Sequence, residues 1–230
     1  MVQAGFSGFP RGGLAFLREL AAHNDRAWFE EHRAAWDDQI VPAMLALCAG
    51  LQERLADVMP RLTFLPRIGG SLFRLNRDTR FSKDKSPYKT HTAAMLWEGG
   101  EKHSAPGVYV HVGTEEVIFG GGIWIFDEAQ LDRYRKRVAD DRKGPALEAA
   151  LKQAKKAGLV PDAAEKLVRV PRPFDPEHPR GDLLKLKGLV VGKTSKPGPW
   201  LHSAELLDRA EAAARAYAPL HAWLREELKS

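Results

Sequence analysis

Between Ser71 and His91 the chain reads Ser-Leu-Phe-Arg-Leu-Asn-Arg-Asp-Thr-Arg-Phe-Ser-Lys-Asp-Lys-Ser-Pro-Tyr-Lys-Thr-His. Six cations stand in it: Arg74, Arg77, Arg80, Lys83, Lys85 and Lys89. Asp78 and Asp84 are its only acids, so this stretch carries a formal +4 of the whole chain's +5. The basic character is local. A local excess of cations beside Ser82, Ser86 and Tyr88 suits an anion. Arginine offers a planar fork to a phosphate or carboxylate, lysine a point charge, and tyrosine a neutral donor. Arg77, Arg80, Lys83, Lys85, Tyr88 and Lys89 lie on one segment, so they are expected to converge on one small anion. Asp78 is placed to orient Arg77 or Arg80.

Arg74 is the most telling member. It sits between Phe73 and Leu75 in a stretch of period two, so it is expected to be largely buried and held by a carboxylate or a bound anion. Other chemistry is poorly supported. No Gly-x-x-x-x-Gly-Lys-Ser/Thr and no helix-opening Gly-x-Gly-x-x-Gly appears, so those routes to ATP or a dinucleotide are closed. The histidines are scattered, no His-x-x-x-His with a glutamate occurs, and a single cysteine excludes a thiolate cluster; no metal and no cofactor is expected. Cys48 falls on an apolar helical stripe and reads as core.

Several elements must position these residues. Leu14, Phe16, Leu17 and Leu20 recur at helical spacing. His23-Asn24-Asp25 breaks that helix, and Asn24 or Asp25 caps the next, which carries Trp28, Phe29, His32 and Trp36 on one face. A third helix starts at Val41-Pro42 and ends at Pro60. The period then changes to two. Ser71 to Asn76 reads as a strand, Arg77 to Lys89 as a long loop, and Thr90 to Trp97 as a strand. Val108 to Val112 and Val117 to Phe126 form a hairpin about Gly113-Thr-Glu-Glu116. Gly120-Gly121-Gly122 interrupts its second strand, where another group can approach the backbone closely. Asp127 caps a helix, and Gly144-Pro145 separates it from one ending near Gly158. Val160 to Pro179 is expected to wrap the surface. A short helical turn at Asp182 to Lys187, a strand at Leu189 to Val191 and a loop over Gly192 to Pro199 follow. The last helix begins near Ser203, with Pro219 expected to kink or split it.

The 230 residues suit a single domain over 1–230 with a sizeable core. The fold class is α+β: a mainly antiparallel sheet of about four to six strands, packed by helices from both ends of the chain. One cysteine fits a reducing compartment. Met1 to Phe9 lacks the basic-then-apolar layout of a signal peptide, and no apolar run reaches the roughly 20 residues of a membrane span. The expectation is a cytoplasmic protein with no membrane partner.

The central run, with Asn24-Asp-Arg-Ala-Trp-Phe29, Gly120-Gly-Gly-Ile-Trp124 and Leu183-Leu-Lys-Leu-Lys187, resembles the DUF2461 family over nearly the whole chain. Asn24-Asp25 stands where that pattern has Asn-Asn. The resemblance implies a single α+β domain and assigns no reaction. Trp28, Trp124 and Gly121 fall in the resembling stretches and join the candidate ligand residues. The favoured function is recognition of a small phosphorylated or carboxylated ligand by the basic loop, with catalysis left open. One alternative is a nucleic-acid-binding module, with Phe81 and Tyr88 left to stack on bases. The other is a structural network in which the cations pair with protein carboxylates.

Overall fold

The computed structural model describes residues 5–229. Residues 1–4 lie outside that range, and Phe9 is buried. Helix α1 (Arg11–Ala22) buries Leu14, Phe16, Leu17 and Leu20, the stripe its spacing predicts. Asp25 caps α2 (Arg26–Ala35) by accepting the Trp28 N–H at 3.0 Å. The third helix starts at Val41, as expected. A π-helical turn (Trp36–Ile40) leads directly into α3 (Val41–Arg54), and the Val41 N–H reaches back to the Trp36 carbonyl. Pro42, which has no N–H to donate, stands in the first turn of α3.

Six antiparallel strands follow, in the order β1-β2-β3-β4-β6-β5. They are β1 (Leu62–Thr63), β2 (His91–Glu98), β3 (Gly107–Gly113), β4 (Val117–Ile123), β5 (Val160–Asp162) and β6 (Leu189–Ser195). Between β4 and β6 lie α4 (Glu128–Ala139), α5 (Lys143–Lys156) and α6 (Gly181–Leu184), and α7 (Glu205–Leu228) closes the chain. The N- and C-terminal helices pack on the sheet, α3 against β2 and α7 across β3 and β4. The fold is the α+β one expected, a single compact domain.

Three expectations change. Ser71–Asn76 is not a regular strand: Phe73 and Met95 bond to Ala93 and Ser71 across β2, and then the segment leaves the sheet to pair Asn76 with Tyr88. Its apolar side chains have too little sheet to follow, so the strict alternation fails. Residues 160–162, expected as surface wrapping, pair with β6, which itself runs on to Ser195 where a loop was expected. Helix α7 runs through Pro219 without splitting; Leu220, Trp223 and Leu224 beyond it are buried, so packing outweighs the lost backbone bond.

The glycine run explains how α7 sits. The Tyr217 ring lies over Gly121 and its hydroxyl donates to the Gly120 carbonyl at 2.8 Å. A Cβ on Gly121 would stand 2.5 Å from that ring. The next turns of α7 continue the line. His221 Nε2 lies 3.0 Å from the Gly107 carbonyl of β3, and Arg225 pairs with Glu98 of β2. A carbonyl only accepts, so Nε2 carries the proton and Nδ1 is turned toward Glu98 Oε2 at 3.8 Å. Burial pushes the Glu98 carboxyl up, but His221 and Arg225 outweigh it and hold its pKa below the usual value.

Gly121→Val should destabilise the fold by roughly 1–3 kcal/mol or more, because Tyr217 and the strand leave no room for the new side chain. Urea denaturation measures it, and a variant as stable as the parent would show that α7 does not need this approach.

Candidate functional site

Strand period places the site. Thr92, Ala94 and Leu96 of β2 and Val108, Val110 and Val112 of β3 are buried in the core. The intervening His91, Ala93, Tyr109 and His111 therefore share the other face. There the irregular segment before β2 lays Phe73 and Arg74 beside them. Phe73, Arg74, Lys89, His91, Ala93 and Tyr109 line a cleft of about 250 Å³.

Arg74 departs from expectation. It is exposed, and among the described residues no carboxylate pairs with it. The segment has left the regular ladder at this point, so nothing buries the guanidinium. It faces the cleft instead. Lys89 Nζ donates to the Arg74 backbone carbonyl at 2.8 Å, and both residues line the cleft. Burial lowers the Lys89 pKa, so its charge is poorly solvated. The Phe73 and Tyr109 rings meet edge to face with centroids 6.1 Å apart, and Lys102 lies 4.6 Å from the Phe73 centroid.

Behind the cleft wall the His91 and His111 rings stack at 4.1 Å. Burial, then His111 and Lys89, bring the His91 pKa down to about 4, and burial brings His111 down to about 4. Both imidazoles are uncharged at neutral pH. The Tyr109 hydroxyl lies 3.5 Å from His111 Nδ1, and burial, aided by Glu116, pushes its pKa up to about 12. It stays a neutral phenol at neutral pH. Sequence spacing hides this group, because the histidines lie on different strands. The signal that could have found it is the alternation of Tyr109 and His111 with the three valines.

The rest of the loop does not converge. Arg77 pairs with Asp84, which also accepts from the Ser86 hydroxyl at 2.6 Å. These bonds, Ser86 first, hold the Asp84 carboxyl far below its usual range. Ser82 is the more distant neighbour of Arg77, at 3.5 Å. Arg80 pairs with Asp78 at 2.7 Å, and Lys85 caps the Thr79 carbonyl at 2.8 Å. Lys83 has no partner among the described residues. Two of the six cations are thus paired to carboxylates inside the loop, which is the structural network in part. Tyr88 is buried against Phe29 at 4.4 Å, with its backbone N–H and carbonyl bonded to the Asn24 side chain. Phe81 is 95% exposed.

The remaining candidates lie elsewhere. Trp28 is half-buried and stacks on His32 at 4.1 Å. Trp124 is exposed just beyond β4. Gly121 is buried under Tyr217, on the core face of the sheet, so its missing side chain serves packing. Cys48 is buried, and burial pushes its thiol up to about 12. Among the described residues no cluster of three or more His, Cys, Asp or Glu side chains could hold a metal ion. No helix among them is long and apolar enough to cross a membrane.

A family model described as "Conserved hypothetical protein (DUF2461)" matches residues 13–223. No curated protein and no solved structure matches the chain.

The histidine pair has a pH signature. Each folded-state pKa lies below the unfolded value near 6.5, so the unfolded chain binds more protons in acid. Their contribution is complete above pH 6.5 and is lost as pH falls through about 4. The melting temperature should drop across that window, before most carboxylates titrate. A His91→Gln/His111→Gln variant should show a flatter profile between the two values. An equal slope in both proteins would mean that the pair is not held neutral.

Proposed function

The chain belongs to the DUF2461 family, and we propose that it recognises a small phosphorylated or carboxylated ligand in the cleft between Arg74 and Lys89. The observation that carries this reading is the pairing state of the cations. Arg77 and Arg80 are neutralised by Asp84 and Asp78, whereas Arg74 and Lys89 face a cleft with no carboxylate among its lining residues. Both cations line one cleft with no carboxylate to neutralise them, and an anion bound there would meet both. Arg74 supplies a fork, Lys89 a point charge that retains free donors, and Tyr109 a neutral hydroxyl. The same donors would stabilise an anion formed during a reaction, so catalysis remains compatible with the site.

A ligand that binds only the folded state raises its melting temperature by mass action. Phosphate, sulfate and small carboxylates, screened at low ionic strength, should include at least one that does so. Arg74→Ala and Lys89→Ala should each remove the rise. The ligand-free melting temperature of Arg74→Ala should stay close to the parent's, since Arg74 makes no ion pair. If no anion shifts the parent, or if the shift survives in the double variant, the cleft is not an anion site.

A second reading, single-stranded nucleic acid, draws on Phe81, fully presented beside Arg80, Lys83 and Lys85. Base stacking on an aromatic side chain contributes about 1–3 kcal/mol. Burial of Tyr88 leaves Phe81 as the one stacking residue of this loop, which ranks the reading second. Gel retardation of a single-stranded oligonucleotide at low salt, weakened in Phe81→Ala, would favour it. No retardation would remove it.

A further inference from the structure

We infer that the ligand of this cleft is a small aromatic monocarboxylate, one planar ring carrying one carboxylate. The inference rests on the anion reading above and narrows it. The lining is mostly ring and hydrocarbon: Phe73 and Tyr109 meet edge to face, His91 contributes a third ring and Ala93 a methyl. Arg74 and Lys89 are the cations of the lining, and Lys102 lies against its Phe73 ring. His91 adds no charge, because its pKa has been brought down to about 4 and it is stacked on an equally neutral His111. An inorganic phosphate would make no use of the apolar ring surface that lines the cleft.

A ligand with one charge and one ring uses both halves of the site. Its carboxylate takes the Arg74 fork and a free Lys89 proton, and its ring displaces water from apolar surface and meets aromatic edges. Size points the same way. A cleft of about 250 Å³ has room for a single substituted ring. Tyr109, whose hydroxyl lies 3.5 Å from His111 Nδ1, contributes its ring to the lining.

Calorimetric titration of the full chain with benzoate, acetate, cyclohexanecarboxylate and inorganic phosphate tests the inference at low ionic strength. Benzoate should bind at least about tenfold more tightly than acetate or phosphate, and more tightly than cyclohexanecarboxylate. Phe73→Leu keeps an apolar wall and removes a ring; it should weaken benzoate about three- to tenfold and leave acetate unchanged. Arg74→Ala should abolish binding of both carboxylates. If phosphate or acetate binds as tightly as benzoate and still depends on Arg74, the aromatic inference is overturned while the anion reading stands. If cyclohexanecarboxylate equals benzoate, the site selects for apolar bulk rather than for a ring, and the inference again falls. If none of the four binds, both readings fall together.

Discussion

Helix α7 must lie almost on the backbone of the sheet, and much of the rest follows from that. Tyr217, His221 and Arg225 recur every four residues and form one ridge. Each reaches a different strand in turn: Gly120 on β4, Gly107 on β3 and Glu98 on β2. A ridge can meet three strands only if nothing protrudes between them, which is why Gly121 has no side chain to offer. The helix is thereby pinned by two side-chain bonds to backbone carbonyls and by one charge pair whose carboxylate is buried. A buried pair is weak evidence for stability, because desolvation offsets much of its attraction. Its stronger effect is on register, since a helix rotated or shifted by one residue would strand Glu98 in the core.

The cleft is the other side of the same constraint. On the opposite face of β2 and β3, the segment from Leu65 to Lys89 lays Phe73 and Arg74 beside His91, Ala93 and Tyr109. That segment gives up regular pairing after Phe73 and turns outward. Arg74 and Lys89 meet at the base of the excursion, where one side chain bonds to the other's backbone. The loop beyond is closed by its own acids. A group of cations that looks like one site in sequence is thus divided by geometry into a tip where two arginines pair with the loop's own acids and a base where none is paired.

The helices and the hairpin were legible because periodicity reports burial directly. Asp25 and Asp127 were legible as caps for a local reason: the bond each makes lies within three residues. Arg74 was misjudged because alternation implies burial only while a strand stays in a sheet, and a residue cannot show where the ladder ends. β5 was missed for a related reason. Val160-Pro161-Asp162 has no strand pattern of its own, and it becomes a strand only because β6 presents an open edge. The His91–His111 stack is a contact across two strands, fixed by a register that pairs Ala93 with His111. A single sequence shows which residues alternate, but not which ones stand opposite each other.

The two ends of the sheet are short in a way that matters for how copies of this chain meet. β1 contributes two residues, and β5 three with a proline at its centre. An open antiparallel sheet normally exposes a row of free amides and carbonyls at each border, a template on which another strand can add. Here one border is too brief to guide a second strand, and the other lacks a donor where Pro161 stands. The longer, regular strands β2, β3, β4 and β6 all lie inside these borders. Crowded copies of the folded chain therefore have little edge on which to polymerise, although no disulfide or barrel closure seals the sheet.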